Sequence, residues 1–294
     1  MDYRKGMLIY NGNAGQKDIE KSLAACVPVL SAELDSLILL PTKREGHARE
    51  LCREYGSEVD VVFILGGDGT VHECINGLAP LEDRPAIGIL PGGTCNDFSR
   101  TLNIPQNIRD AALAMISGKA EPVDIMQANE DYFLNFWGIG LVAEASENIK
   151  AAEKNLFGRI SYFLSALRTI KEMEPFHASL IVDGKAIEED AVMILLANGH
   201  YIGTNALPFE NLDYNDGLAD LFIIKDANLA LMKEALTVDS MEANENILHY
   251  KGKEIQVSTE KRMEADMDGE VYSATPCRIS VHEGHMQMIK PGQP

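Results

Sequence analysis

Five consecutive residues, Gly66-Gly67-Asp68-Gly69-Thr70, combine the types that phosphate chemistry asks for. Glycines let a backbone approach a ligand closely, and the N–H groups at a helix start attract anions. A bare phosphate would repel the aspartate, so its presence points to a metal ion or a donor hydroxyl nearby. The turn follows the largely apolar run Val59–Leu65, read as a buried strand, and precedes the helix-like Thr70–Gly77. It is not a Walker loop, since the chain has no Gly-Lys-Ser/Thr, and there is no GxGxxG. The blander reading is a tight turn whose aspartate caps the helix. A second stretch, Leu90-Pro91-Gly92-Gly93-Thr94-Cys95-Asn96-Asp97-Phe98, again follows a strand pattern and again offers glycine, hydroxyl and carboxylate. Thr94 can donate to a phosphate oxygen, while Asn96 and Asp97 can hold a nucleotide or a magnesium-bound water. Alone it reads equally as a turn with an N-cap; two such loops on neighbouring strand ends point to one site.

The elements that must position these loops alternate along the first third of the chain. Met7–Tyr10, Ser36–Leu40, Val59–Leu65 and Pro85–Leu90 read as strands. Asp18–Val27, Glu45–Tyr55, the segment after the glycine turn and Arg109–Ile116 read as helices. This rhythm predicts a parallel, doubly wound sheet, in which ligands bind beyond the carboxyl ends of the strands. The loops 11–15, 66–70 and 91–97 leave those ends. After about residue 125 the pattern changes. Asp183-Gly184 and Asp268-Gly269 read as hairpin turns, and Val192–Ala197, Leu218–Ile224, Glu254–Ser258 and Arg278–His282 as strands. Helical patterns survive at about 144–173 and 227–237. The expected architecture is α/β with two domains: a doubly wound α/β domain over 1–126 and an antiparallel β-rich domain over 127–294, whose last residues return to the first.

A chain of 294 residues has the length for two cored domains, and 46% hydrophobic with 24% charged residues is ordinary for a globular protein. The net charge of -19 argues against nucleic acid as the main partner and gives no general attraction to anionic lipid. The excess is uneven: 12 basic against 18 acidic residues up to residue 128, and 14 against 27 beyond it. The five cysteines are odd in number and include no CxxC, which suits reduced thiols in a cytosol. Cys74 and Cys95 lie near the glycine-rich segments and are read as packing residues. The histidines have no metal-ligand spacing, and His282 and His285 fall at an expected exposed strand end. The opening residues do not read as a signal peptide, and no apolar stretch reaches the ~18–20 residues of a membrane span. The chain is expected to be soluble or peripheral to a membrane.

The pairing of Gly-Gly-Asp-Gly-Thr with Pro-Gly-Gly-Thr-Cys-Asn-Asp resembles the diacylglycerol kinase catalytic domain of bacterial soluble lipid kinases, in a superfamily that also holds sphingosine, ceramide and NAD kinases. The likeness covers nearly the whole chain. Asn11-Gly12-Asn13-Ala14-Gly15 is similar to the family's opening Asn-Pro-x-x-Gly loop, with Gly12 in place of the proline. Thr42 with Gly46-His47-Ala48, Glu73, Asn76-Gly77, Pro122-Val123-Asp124, Gly138-Ile139-Gly140, Leu212–Leu218 and Asp268-Gly269-Glu270 resemble further family motifs.

The resemblance implies a MgATP-dependent lipid kinase of NAD-kinase/diacylglycerol-kinase-like fold, acting on a membrane lipid hydroxyl. Asn11, Thr42, Gly66, Gly67, Asp68, Gly69, Thr70, Val71, His72, Gly93, Thr94, Asn96 and Asp97 would contact the nucleotide. Asp68 and Asp97, with Asp124, would hold the catalytic magnesium and its waters, and Glu270 would be the general base. The 213–218 segment is similar to a second, structural magnesium site built from Asp216 and from residues 213 and 218 (Leu218) through their carbonyls. Asp213 stands where many relatives carry an apolar residue, so a side-chain contribution is open. Diacylglycerol is the expected acceptor, giving phosphatidic acid. Phosphatidylglycerol, sphingoid bases, undecaprenol-like alcohols and NAD are alternatives, as is a lipid-binding regulator without catalysis. An enzyme at the cytoplasmic membrane surface, with homodimerisation admitted, follows. Leu156, Phe157, Ile160, Phe163, Leu164 and Leu167 recur at helical spacing, either facing lipid or packed on the strand domain. Trp137 is read as core.

Overall fold

The computed structural model describes residues 3–12, 16–140, 143, 174–209, 211–225 and 245–292, with the backbone alone at 16, 17 and 270–272. The expected helix around 156–167, and the one at 227–237, lie outside the described residues. Two compact units emerge: Met1–Val123 with Gly284–Pro294, and Asp124–Glu283.

In the first unit, β1 (Lys5–Asn11), β2 (Ser36–Thr42), β3 (Val61–Gly66) and β4 (Ala86–Pro91) form a parallel sheet in the order β2-β1-β3-β4. β3 is buried along its whole length, as an apolar β-branched run between two neighbours should be. The helices are α1 (Gln16–Ser31), α2 (His47–Tyr55), α3 (Asp68–Leu78), α4 (Asp97–Thr101) and α5 (Ile108–Ser117). The β1→β2 crossover runs one way along the sheet, and the β2→β3 and β3→β4 crossovers run the other. Right-handed connections therefore put α1 on one face and α2 and α3 on the opposite one. The packing agrees: α1 lies against α5, and α2 against α3. The reversal falls between β1 and β3, the place where an open α/β sheet binds ligands.

Two details depart from the sequence reading. β2 continues through Pro41 to Thr42, which carries a site residue onto the strand end. α4 is a five-residue helix that the sequence pattern did not announce.

The second unit is antiparallel. One sheet runs β14 (Ile247–Gly252), β13 (Ala219–Ile224), β10 (Met193–Ala197), β7 (Phe136–Gly140), β16 (Glu264–Met267) and β17 (Glu270–Ala274). Facing it, β15 (Glu254–Thr259) and β8 (Phe176–Val182) pair with each other. β9 (Lys185–Ala191) flanks β8, and the first half of β18 (Cys277–Lys290) flanks β15. The end of β5 (Lys119–Ala128) pairs with the short β6 (Asp131–Phe133), and β11 (Tyr201–Ile202) with β12 (Asn205–Ala206). Alternate residues fill the space between the sheets: Trp137, Ile139, Ile194, Leu196, Leu221 and Ile223 from one, Leu180, Val182, Ile255, Val257 and Ile279 from the other. Trp137 is fully buried there. Both expected hairpin turns are present, with positive φ at Asp183, Gly184, Asp268 and Gly269.

β18 is far longer than the expected Arg278–His282. His282 and His285 are part-buried within it, and His285 Nε2 donates to the Ala79 carbonyl at 2.9 Å. Among the described residues no helix is long and apolar enough to cross a membrane.

Candidate active site

β3 delivers the glycine turn to the carboxyl end of the sheet. Gly66 ends the strand, Gly67 is the N-cap of α3, and Asp68 is its first residue. The N–H groups of Thr70 and Val71 both turn back to the Gly67 carbonyl, at 3.0 and 3.1 Å. Nothing lies within 4 Å of where a side chain on Gly69 would begin, so a ligand can approach the backbone there. The second loop packs directly against the first. A Cβ on Gly67 would stand 3.0 Å from the Cα of Gly93, so both positions need glycine for the loops to meet.

Asp68 joins the loops. Its Oδ2 accepts from the Asn96 N–H at 2.8 Å and its Oδ1 from the Asp97 N–H at 2.7 Å. It thereby caps α4, whose N-cap Asn96 adopts a left-handed conformation and offers no side-chain cap of its own. Asn96 turns its side chain instead to Gly93, accepting from its N–H at 2.8 Å and donating to its carbonyl at 3.0 Å. Asp97 is buried, and its carboxylate, that of Asp68 and the Cys95 thiol all lie within 4.8 Å of one another. Cys95, read as a packing residue, stands beside the two carboxylates. The carboxylates suit a hard cation such as Mg²⁺, whereas the thiol does not.

Beside this turn lies an open groove lined by Asn11, Thr42, Arg44, Glu45, Ala48, Thr70 and Glu73. Asn11 and Thr42 come from the ends of β1 and β2, and Thr70 and Glu73 from the first turns of α3. The groove therefore sits at the switch between β1 and β3. Val71 and His72, from the expected nucleotide set, point into the protein and are buried, with Asn76 Nδ2 3.2 Å from His72 Nε2. Gly93 and Thr94 are exposed.

In the second unit the sequence-read residues fall into another cluster. Asp124 is fully buried; its Oδ2 accepts from the Gly217 N–H at 2.6 Å, and its own N–H donates to the Tyr214 carbonyl at 2.9 Å. It clasps the 213–218 segment from below. Within that segment Asp213 accepts from the Asn215 N–H, and Asp216 accepts from the Leu218 N–H. The other Asp216 oxygen is 2.8 Å from Lys251 Nζ, which also reaches the Asn211 carbonyl at 3.3 Å and Asp220 at 3.5 Å. Burial pulls the Lys251 pKa down, but Asp216 and Asp220 outweigh it and hold it above the ordinary lysine value. Burial raises the Asp220 pKa against the pull of His249, 2.6 Å away, and of Lys251.

A cation held by Asp216 would therefore share its carboxylate with the Lys251 ammonium. Glu270 opens β17 and pairs with Met267 across the hairpin; its side chain lies outside the described residues. Asp268 beside it accepts from the N–H groups of Leu134, Asn135 and Phe136.

Two contacts escaped the sequence reading, Cys95 as a neighbour of the carboxylates and Lys251 as the partner of Asp216, and no local pattern marks either. Glu73 belongs to a motif shared with the family, but its place in the groove comes from the structure.

A parallel α/β unit with a glycine–aspartate turn at its switch point, followed in the chain by an antiparallel sandwich, defines a class of two-domain kinases. Comparison with known proteins supplies the family. Residues 5–128 match the diacylglycerol kinase catalytic domain, and residues 138–290 the YegS C-terminal NAD kinase beta sandwich-like domain. The chain is 36% identical to a Staphylococcus epidermidis protein named "putative lipid kinase", over 98% of its own length and 96% of the relative's. A Staphylococcus aureus protein of like name is also 36% identical, covering 98% and 97%. Among solved structures, a "putative diacylglycerol kinase" from Bacillus anthracis shares 44% identity with a TM-score of 0.90, covering 99% of this chain and 98% of that one. A further diacylglycerol kinase structure from that organism shares 43% with a TM-score of 0.88, at the same coverage. The chain belongs to the diacylglycerol kinase family and is a lipid kinase.

Proposed function

We propose that this lipid kinase transfers the γ-phosphoryl group of ATP to the hydroxyl of a membrane diacylglycerol, giving phosphatidic acid and ADP. The observation that carries the reading is the Gly66–Thr70 turn opening α3 beside a groove at the β1/β3 switch. Backbone N–H groups and a helix start meet phosphate there, and Asn11, Thr42 and Thr70 line the space beside it. Asp68 and Asp97 would hold Mg²⁺, which when bound offsets the charge of the phosphates. Asp68 is oriented for this by two backbone N–H groups, and Thr94 is exposed to donate to a phosphate oxygen.

In the transfer the lipid oxygen bonds to the γ-phosphorus as the bond to the β–γ bridging oxygen breaks. Glu270 takes the hydroxyl proton. Little covalent work falls to the protein, so positioning and charge dominate the rate. The protein would act in the cytoplasm at the membrane surface, as a monomer or a homodimer.

The test is phosphoryl transfer from labelled ATP with Mg²⁺ to diacylglycerol in mixed micelles, with phosphatidylglycerol, sphingosine, an undecaprenol-like alcohol and NAD in parallel. Label in phosphatidic acid is the expected result. Label confined to another acceptor overturns the choice of diacylglycerol, and absence of transfer with ATP binding intact would favour a regulator.

A further inference from the structure

We infer that Glu73 is a positioning residue that fixes the base-and-ribose side of the nucleotide groove against its phosphate side. The inference rests on the reading of the groove as a nucleotide site. Glu73 lies on α3, one turn beyond the glycine turn, and its carboxylate leaves that helix to bind another. The Gly46 N–H donates to Oε1 at 2.8 Å and the Ala48 N–H to Oε2 at 3.0 Å. Gly46 is the N-cap of α2, held at φ 77°, and it supplies no side-chain cap. The start of α2 is thus capped in trans by a residue of the phosphate helix.

Two consequences follow from this geometry. First, the stretch that carries Thr42, Arg44 and Glu45 into the groove is referenced to α3. Local ties shape that stretch: Gly12 N–H to the Thr42 carbonyl at 3.2 Å, Lys43 N–H to His47 Nδ1 at 3.1 Å, and Arg44 to the Glu50 carboxylate at 2.6 and 2.8 Å. Glu73 adds two ties from a different element, one that also bears the phosphate turn. Second, two helix starts converge on the groove, and each favours negative charge. Glu73 satisfies the start of α2 with its own carboxylate. The start of α3 is left to the polyphosphate, which gives the bound nucleotide one direction.

A glutamine at this position keeps one acceptor oxygen but turns an NH₂ group toward a backbone N–H, and it removes the charge. The base-and-ribose side should loosen while the phosphate side stands. Glu73→Gln in the full chain is expected to raise the KM for ATP by about tenfold, with kcat within about threefold. The affinity for ADP should fall in parallel, and that for inorganic tripolyphosphate should stay within about twofold. General destabilisation would weaken both ligands alike, so equal loss of ADP and tripolyphosphate binding overturns the inference, as does an unchanged KM in a folded variant. Should Glu73→Gln not fold, Gly46→Ala attacks the same cap from the other side, and the same split of ADP from tripolyphosphate decides. A wild-type protein that binds neither probe would sink the nucleotide reading itself, a result distinct from wild-type binding that the variant leaves unmoved.

Discussion

The aspartates around the glycine turn and those of the 213–220 segment look alike in sequence, and the groups described around them differ. Asp68 is held by two backbone N–H groups, with the Asp97 carboxylate and the Cys95 thiol close by. Asp216 is held by one N–H group and the ammonium of Lys251, which leans on Asp220 as well. Neutral donors orient a carboxylate without offsetting its charge, whereas an ammonium offsets it. The second cluster contains such a cation in Lys251, and in the reading proposed above the first receives one as Mg²⁺. Motif spacing cannot separate these cases, because the lysine comes from β14, 35 residues beyond Asp216.

The largest test of the contrast is at the first cluster. Asp68→Ala removes the charge and leaves the Asn96 and Asp97 N–H groups without their acceptor. Activity should fall by about 10²–10³-fold or more. The loops should also loosen by roughly 1–3 kcal/mol, the usual cost of stranding a donor. Asp68→Asn separates the effects: it keeps one acceptor oxygen and loses the charge. If charge is what matters, the asparagine variant recovers part of the thermal stability, one N–H group facing its NH₂ instead of an oxygen, and does not recover turnover. Activity above a tenth of wild type in Asp68→Ala would remove the whole turn from the reaction.

A smaller effect is expected at Glu270, the base proposed from the second unit. Glu270→Gln should lower kcat by about 10²–10⁴-fold, the range for losing a general base, with ATP affinity within about twofold. Turnover near wild type would take Glu270 out of that role and leave the second unit's acidic residues structural.

What could be read from the sequence follows the range of each interaction. β1, β3 and β4 are apolar runs ended by glycine, asparagine or proline, and such signals are local. The Gly66–Thr70 turn is legible for the same reason: strand, turn and helix start are contiguous. α4 was not, because Asp97–Thr101 is too short to repeat an apolar position. β18 read as ending at His282 because His282, Glu283 and Gly284 interrupt its alternation; pairing of Met288 beside Ile87 carries the strand on. Glu73 stands in a legible helix, yet its work is done on N–H groups 25 and 27 residues earlier. Backbone donors carry no residue type, so no pattern could reveal them.

The finest test returns to Lys251. Lys251→Met leaves Asp216 and the buried Asp220 facing each other, with the His249 imidazole 2.6 Å from Asp220. The pair is partly exposed, so the cost is discounted to about 1–2 kcal/mol, a fall in Tm of about 2–8 °C for a unit of this size. If the ammonium stands where a metal charge would otherwise go, millimolar Mg²⁺ should recover part of that fall in Lys251→Met and add little to the parent protein. Both measurements belong in an Asp68→Ala background, so that the first cluster contributes no Mg²⁺ signal of its own. An equal rise in Tm with and without the lysine would mean that the 213–218 segment binds Mg²⁺ beside Lys251. The two aspartate clusters would then be alike in function as well as in sequence.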